Sequence, residues 1–311
     1  MAINFPTSKT IHRWRPTAWL KVAGDDAEIF LQGQFSNDLR GLAVGAGAVY
    51  GLWLDVKGRV LADSFVLRGD AGKSAGANPG FWVGSYFSAA TVIRDRLESH
   101  VIADDVTIED QTASWAAVSL LGPEAGRLGA EQYLPRDGAF SSLVFSGRRT
   151  REENTEWVFP IAAGETVRQL FAGLPELDAT AMERQRIAAG IPAVPADVGP
   201  GDLPNEGGLD RDAISYTKGC YLGQEVMARL KSMGRVRRRL LRVTGIASEF
   251  PARPAALFLG ERKVGELRSA VKAESGGFTG LAMLSLMHLE PAVSLAFGAN
   301  GEPAVQLEDG P

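Results

Sequence analysis

The chain has little of the chemistry that builds metal sites and disulfides. Its 311 residues include a single cysteine, Cys220, and three histidines, His12, His100 and His288. One thiol cannot form a disulfide within the chain, and it cannot supply the four thiolates of a zinc or iron–sulfur site. The histidines are widely scattered and do not have metal-ligand spacing. We therefore predict no metal site within this chain.

Long apolar segments are also missing. No run approaches the ~20 apolar residues that a membrane-spanning helix needs. Residues 1–10 lack the basic segment and apolar stretch of an export signal. With one cysteine, nothing in the composition suggests an oxidising compartment. We expect a cytoplasmic protein that has no membrane partner.

The net charge is −4, which argues against broad nucleic-acid binding, yet one stretch contains no acidic residue. Between Glu225 and Glu249 every charged residue is basic: Arg229, Lys231, Arg235, Arg237, Arg238, Arg239 and Arg242. A run of like charges usually faces solvent. The alternatives are attraction of an anion, such as a polyglutamate tail or an RNA backbone, and docking of a partner protein on this stretch. The stretch 229–242 lacks the interleaved aromatic residues of RNA-stacking modules, so RNA binding is a minor hypothesis.

Periodicity favours an α+β protein. Strand-like runs at 18–22, 49–54, 60–67, 81–83, 105–109, 115–121, 140–146 and 156–161 alternate with helical patterns at 88–97, 164–173 and 179–189. Asp25 with Glu28 resembles a capping box, and residues 55–58 read as a hairpin turn. Residues 72–80 read as a loop of small residues. After Arg239 only short apolar strands follow, which predicts a small C-terminal β-barrel.

Cys220 lies in a distinctive run of residue types. The run is Lys218-Gly219-Cys220-Tyr221-Leu222-Gly223-Gln224-Glu225, with Arg229 one helical turn further on. An isolated cysteine is commonly a buried, inert residue. A helix over 221–230 would instead place Cys220 near a helix N-terminus and close to a lysine, where a thiolate is favoured.

This run resembles the K-G-C-[YF]-x-G-Q-E signature of the YgfZ branch of the folate-binding, aminomethyltransferase-like (GcvT-like) proteins. Residues 20–34, 57–60 and 186–192 resemble further segments of that family and occur in the expected order. The resemblance implies a folate-binding α+β region at 1–238, in two subdomains, and a β-barrel at 239–311. It also implies that these parts surround a central opening.

The resemblance implies a tetrahydrofolate-binding protein that supports the assembly or repair of iron–sulfur clusters in client enzymes. The ligand would be tetrahydrofolate or a C1-substituted derivative. Cys220 would be the functional thiol, activated by Lys218, and Glu206 and Asp63 would contact the folate. Gly219 and Gly223 would allow close approach of the backbone, and the site would be completed by Tyr221, Gln224, Glu225 and Arg229.

A folate-dependent aminomethyl or C1 transferase is the alternative. The glycine-cleavage T-proteins of this family use an aspartate after the Gly-rich hairpin, and Asp63 has that spacing. A positioned carboxylate there could move a proton to or from a folate nitrogen. Asp63 could equally be a strand-end residue on the solvent face. T-proteins carry acids where this chain has Ala62 and Ala188, and they lack the cysteine run. Whether the chain is an enzyme stays open at this point.

Overall fold

The computed structural model describes residues 9–308 apart from 46, 70–79, 123–124, 126–141, 235, 247–249, 288 and 291–292. The strands are β1 (Thr10–Trp14), β2 (Ala18–Ala23), β3 (Ala48–Leu54), β4 (Val60–Arg68), β5 (Phe81–Ser85), β6 (Thr107–Asp110), β7 (Trp115–Leu121), β8 (Leu143–Ser146), β9 (Asn154–Pro160), β10 (Arg238–Gly245), β11 (Ala255–Leu259), β12 (Arg262–Lys272), β13 (Phe278–Ser285), β14 (Ser294–Leu295) and β15 (Val305–Leu307). The α-helices are α1 (Ala27–Gln34), α2 (Ala90–Glu98), α3 (Gly164–Leu170), α4 (Ala179–Ala188) and α5 (Gln224–Met233). No helix among the described residues is both long and apolar enough to span a membrane.

The N-terminal region contains a five-stranded sheet in the order β3-β4-β5-β2-β6. Alternate residues of β2, including Leu20 and Val22, point to one face of this sheet, and α1 and α2 cover it. Leu31 of α1 and Ile93 and Leu97 of α2 complete that core, and all three are fully buried. The helical spacing of these apolar residues is what allows two short helices to cover the sheet.

A four-stranded sheet in the order β1-β7-β9-β8 packs against the other face of the first sheet. Aromatic side chains form much of this contact: the Trp19 and Trp115 rings lie 5.8 Å apart, and Phe65 and Phe145 lie 5.0 Å apart. The far side of the second sheet packs on α3 through Trp157. The two sheets therefore form one continuous apolar body that carries the loops of the site.

The C-terminal sheet has the order β11-β12-β13-β10-β15-β14 and curls into a nearly closed barrel. Its edge strands meet through two reciprocal backbone hydrogen bonds between Phe258 and Ala296, of 2.9 and 3.0 Å. Helix α4 packs on the outside of the barrel, where Ile187 contacts Val271 and Leu281. The predicted α+β class with a C-terminal barrel is confirmed.

Most predicted elements agree with the structure. Strand 115–121 has the predicted bounds, and the predicted helix 179–189 is α4, which ends one residue earlier. The hairpin turn at 55–58 is also confirmed, since Gly58 donates its N–H to the carbonyl of Asp55 at 3.0 Å. The predicted loop at 72–80 and the start of the predicted strand 140–146 lie largely outside the described residues.

Two local predictions are wrong. The N-cap position of α1 is Asp26, not Asp25, and no side chain caps the helix. The Asp26 carboxylate instead accepts a hydrogen bond from the backbone N–H of Asp105 at 2.8 Å, and Glu28 pairs with Arg68 at 2.5 Å. The predicted helix 221–230 begins later, at Gln224, because Gly223 adopts a left-handed conformation at the N-cap.

Candidate functional site

A cavity of about 920 Å³ lies where the barrel meets the N-terminal region. Its walls come from the turn after α4, the loop 205–212, the end of α5 and strand β10. Ligand sites commonly occur at such boundaries and have volumes of roughly 300–1,000 Å³. Its size and position make this central cavity the first candidate for a ligand site.

The central cavity is strongly basic. Its charged lining residues are Arg148, Arg151, Arg211, Lys231, Arg239 and Arg242 against Asp210 and Asp212. Arg148 pairs with Asp212 at 2.9 Å, and Arg242 donates to the Ala188 carbonyl at 2.8 Å. Among the described residues, neither Arg211 nor Arg239 forms an ion pair, and both are exposed. Because positive charge is in excess, the cavity favours an anionic ligand.

An aromatic ring and an amide also contribute to the cavity wall. Tyr216 lies there with the Lys231 ammonium 4.2 Å from the centre of its ring. Burial raises the pKa of the Tyr216 phenol, and the charge of Asp210 raises it further. Among the described residues the buried side-chain oxygen of Asn205 has no hydrogen-bond partner, while the Asn205 side chain itself hydrogen-bonds Tyr216 and lowers the pKa of that phenol. A buried acceptor without a donor is costly, so a ligand N–H at this wall would satisfy it.

Asp63 lies beneath the surface rather than at a strand end facing solvent, so the solvent-face alternative is wrong. Asp63 lies on β4 and is 4% exposed. Ser85 and Ser88 each donate a hydroxyl hydrogen to Oδ1 at 2.7 Å, and Tyr50 donates to Oδ2 at 2.9 Å. Burial raises the pKa of the Asp63 carboxyl, and the three hydroxyl donors oppose that rise. Asp63 is therefore a buried acid whose carboxylate oxygens are engaged by three hydroxyl groups.

Lys218 is used for structure. Its ammonium donates to three backbone carbonyls in the last turn of α1 and just after it: Gln32 at 2.7 Å, Phe35 at 2.6 Å and Asn37 at 2.9 Å. An ammonium has three N–H donors, and all three are accounted for. Burial lowers the pKa of Lys218 to about 8. No N–H is left for a hydrogen bond to Cys220, so activation of the thiol by Lys218, which stays a prediction, would act through the positive charge alone.

Cys220 is exposed, which excludes the buried, inert alternative. Cys220 lies four positions before the first residue of α5, with the N-cap residue Gly223 in between, so it does not occupy the helix N-terminus itself. A Cβ at Gly223 would lie 2.9 Å from the carbonyl oxygen of Asp55, which shows that this glycine lets the loop pack on the β3–β4 hairpin. A Cβ at Gly219 would meet nothing within 4 Å. The thiol therefore lies on an exposed loop that is held by the Lys218 hydrogen bonds on one side and by the packing of Gly223 on the other.

The other residues of the motif fall into two groups. Tyr221 is buried, its hydroxyl has no hydrogen-bond partner among the described residues, and burial raises its pKa to about 12. Gln224 is half-buried at the start of α5, whereas Glu225 and Arg229 are exposed on that helix. None of the four lines the central cavity, although Leu230 does.

Glu206 has a full set of partners within the chain. Its carboxylate accepts from the Leu203 N–H at 2.9 Å and pairs with Arg238 at 2.8 Å. Arg238 also pairs with Asp202 at 3.1 Å, and Asp202 in turn pairs with Arg268 of the barrel. Glu206 thus ties the loop 204–207 to the barrel. A folate contact by its carboxylate would have to compete with these bonds.

The structure separates the predicted site into three places: Asp63 inside the first sheet, Glu206 at the barrel contact and the cysteine loop on the surface. None of the ten predicted residues is part of the cavity lining, although Asn205 and Gly207 beside Glu206 are. The sequence analysis missed Tyr216, Asn205 and Arg151. Its acid-free stretch did contain Lys231, Arg239 and Arg242, and that charge pattern was the available signal.

Two family models match the chain. Residues 16–139 match the GCVT N-terminal domain, and residues 237–308 match the CAF17 C-terminal beta-barrel domain. Among solved structures, the glycine cleavage system aminomethyltransferase T from Bartonella henselae covers 97% of this chain and 86% of its own, with a TM-score of 0.75 and 17% identity. At that identity the likeness concerns the fold alone.

Two curated relatives extend over most of the chain. The tRNA-modifying protein YgfZ of Photobacterium profundum is 29% identical over 79% of this chain and 72% of its own length. The human mitochondrial iron–sulfur cluster assembly factor IBA57 is 32% identical over 72% of this chain and 63% of its own length. With its GCVT N-terminal domain, its CAF17-type barrel and these relatives, the chain belongs to the GcvT-like family as a YgfZ-type member.

Proposed function

We propose that this protein binds tetrahydrofolate or a C1-substituted derivative in the central cavity and supports the assembly or repair of iron–sulfur clusters in client proteins. The observation that carries the ligand proposal is the basic cavity of about 920 Å³ in a GcvT-like fold. The cluster role is suggested by the relative named as an iron–sulfur cluster assembly factor. A cytoplasmic location remains a prediction.

The cavity lining matches the chemistry of a folate. A pterin is a planar ring with an amidine-like N–H edge, and such an edge pairs well with a carboxylate or amide oxygen. Asp210 and the unpartnered Asn205 oxygen offer such acceptors, and Tyr216 offers an aromatic face. The exposed Arg211 and Arg239 suit the carboxylates of the glutamate portion. This residue set replaces Glu206 as the proposed contact with folate.

Cys220 is the proposed functional thiol. Among the described residues, no three His, Cys, Asp or Glu side chains lie together in an arrangement that could hold a metal ion. A cluster or iron ion would be cargo, bound through Cys220 together with ligands from a client or assembly protein. Lys218 and Gly223 position the loop that presents the thiol.

The first experiment is calorimetric titration of the purified protein with tetrahydrofolate and 5-formyl-tetrahydrofolate. Tyr216→Ala should weaken the affinity about tenfold or more, because a base–aromatic stack contributes roughly 1–3 kcal/mol. Lys272→Ala, an exposed change on the barrel, is the matched control and should leave affinity unchanged. Absence of saturable binding by the wild type would rule out the folate proposal.

The thiol is tested separately in cells. Cys220→Ser should lower the activity of iron–sulfur enzymes in a strain that depends on this protein, while leaving folate affinity and melting temperature unchanged. Full enzyme activity in the Cys220→Ser strain would refute the thiol role. The two experiments can fail independently, so they distinguish the cofactor from the cluster function.

A folate-dependent C1 transferase is the second candidate, and the buried Asp63 with its three hydroxyl donors favours it. Asp63→Asn should then abolish folate-dependent turnover of a small amine while leaving folate affinity intact. A wild-type protein without any turnover on amine donors would exclude this candidate. Docking of RNA through 229–242 stays a minor prediction, supported only by the exposed Arg237 and Arg239.

A further inference from the structure

A second, smaller cavity of about 120 Å³ lies between the four-stranded sheet and α4. A single water molecule needs roughly 10–15 Å³ by the same measure. The cavity is several times larger than that, so it has room for one small polyatomic ion. Its lining includes His12, Tyr86, Arg149 and Met182. None of these residues lines the central cavity, and only Arg148 contributes to both.

Arg149 is the charged group of this pocket. Its side chain is 8% exposed, and its guanidinium lies 4.1 Å from the Tyr86 ring centre and 4.5 Å from that of Trp14. Its Nε donates to Ser119 Oγ at 3.0 Å. Among the described residues, nothing accepts a hydrogen bond from either terminal nitrogen. The guanidinium packs against two neighbouring rings and lines the cavity, so its planar pair of terminal N–H groups is available to bind a carboxylate in two-point fashion.

The carboxylates nearby do not satisfy these donors. Glu156 lies 3.7 Å from Arg149 Nε, and its two oxygens accept from Tyr86 at 2.7 Å and Ser119 at 2.6 Å, among others. Glu183 lines the pocket, but Arg186 binds both of its oxygens, at 2.6 and 2.8 Å. A ligand anion would therefore meet Arg149 without displacing an existing pair.

Two further arginines line the pocket, but Arg148 pairs with Asp212, and Arg186 pairs with Glu183 and Asp197. Phe87, Ala179 and Met182 form an apolar side of the pocket. A phosphate would place charged oxygens against these carbon surfaces, whereas a short alkyl chain would be buried favourably there. We propose that this pocket binds a small monocarboxylate, with the carboxylate on the terminal nitrogens of Arg149 and the carbon chain against Met182 and Phe87. The site is independent of the proposed folate function.

The test uses the full chain and saturation-transfer NMR with propionate, acetate and inorganic phosphate. Ala179→Trp closes the pocket at an exposed lining position, and Thr180→Trp adds the same bulk at the exposed neighbour that does not line it. Propionate should bind the wild type saturably, and Ala179→Trp should weaken it about tenfold or more, equivalent to about 1.4 kcal/mol. Thr180→Trp should bind like the wild type.

Arg149→Lys keeps the charge but removes the planar pair of donors, so it should lower the affinity for propionate. The melting temperature of this variant is measured alongside to show that it is folded. Folate affinity serves as an independent readout and should be the same in Ala179→Trp and the wild type. The proposal is overturned if wild type binds no carboxylate, if phosphate binds more tightly than propionate, or if Ala179→Trp binds propionate as well as Thr180→Trp does.

Discussion

The guanidinium of Arg148 lies 4.0 Å from the centre of the Tyr50 ring. Tyr50 donates its hydroxyl hydrogen to Asp63, and Arg148 reaches the central cavity, where it pairs with Asp212. Tyr50 and Arg148 thus connect the buried Asp63 to the surface of the central cavity. A ligand that draws Arg148 away would remove positive charge from the surroundings of Asp63, and this charge lowers the pKa of that carboxyl.

Asp63→Asn should change how stability depends on pH. Burial raises the pKa of Asp63 above its ordinary value of 3.8, so the unfolded chain loses this proton first as pH rises. The wild type therefore loses stability above pH 3.8 until the folded carboxyl also ionises. Asn carries no charge, so the variant should melt at a higher temperature than the wild type at pH 7, and the difference should close below pH 3.8. A difference that is the same at both pH values would contradict the burial argument.

Lys218→Met should destabilise the protein by about 3 kcal/mol, because it leaves three carbonyls without their donor in a buried site. Urea unfolding measures the loss. Lys272→Met, at an exposed position, should change stability by no more than about 0.5 kcal/mol. Equal effects of the two variants would show that the three hydrogen bonds do not hold the loop.

The same lysine gives a second pH dependence. Its pKa is lowered from 10.5 to about 8 by burial, so the unfolded chain binds more protons between these values. The free energy of unfolding should therefore gain a stabilising contribution as pH rises from about 8 to 10.5 in the wild type. This contribution should be missing in Lys218→Met, as measured by unfolding titrations at a series of pH values.

The two glycines of the cysteine loop should differ in what they tolerate. Gly223 has a φ of +87°, and an added Cβ would lie 2.9 Å from the Asp55 oxygen, so Gly223→Ala should cost about 1–2 kcal/mol or more. Gly219→Ala should leave stability nearly unchanged, because nothing lies within 4 Å of the new methyl group. If Gly219→Ala nevertheless impairs the iron–sulfur function in cells, that glycine serves the approach of a partner.

Glu206→Gln should lower stability by about 1–3 kcal/mol without changing folate affinity. The substitution removes the charge that pairs with Arg238, while Asp202 still holds that arginine. Combining Glu206→Ala and Arg238→Ala in a double-mutant cycle measures the coupling of the pair. A selective loss of folate affinity in Glu206→Gln, with stability preserved, would restore Glu206 as a ligand residue.

His12→Asn should make the folded protein more stable than the wild type at mildly acidic pH. Burial lowers the pKa of His12 from 6.5, and Arg149 lowers it further, although Glu156, Glu176 and the Leu177 carbonyl act in the opposite direction. The unfolded chain therefore takes up this proton first, and stability is lost as pH falls below 6.5. Asn keeps a donor for the Leu177 carbonyl and does not titrate. The melting temperatures of the two proteins should diverge between pH 7 and pH 5 and be similar above pH 7.

The sequence predicted where helices and strands occur better than it predicted the residues at which they begin and end. The period-2 pattern of strands and the helical spacing of α2 and α4 are local properties, and these elements occur where they were predicted. The ends depend on contacts made elsewhere: the capping role expected of Asp25 and Glu28 is absent because Asp26 binds Asp105 and Glu28 binds Arg68. Helix α5 starts late because Gly223 must pass close to the β3–β4 hairpin.

By itself, the sequence determined the fold class, the order of the elements and the presence of one unusual cysteine motif, because each follows from local periodicity or from a contiguous motif. Only the tertiary structure decided what the charged residues do. Lys218 bonds with Gln32, 186 positions away, and Glu206 is engaged by Arg238 of the barrel. The energy of a charge depends on burial and on partners brought together by folding, and neither quantity can be read from neighbours along the chain.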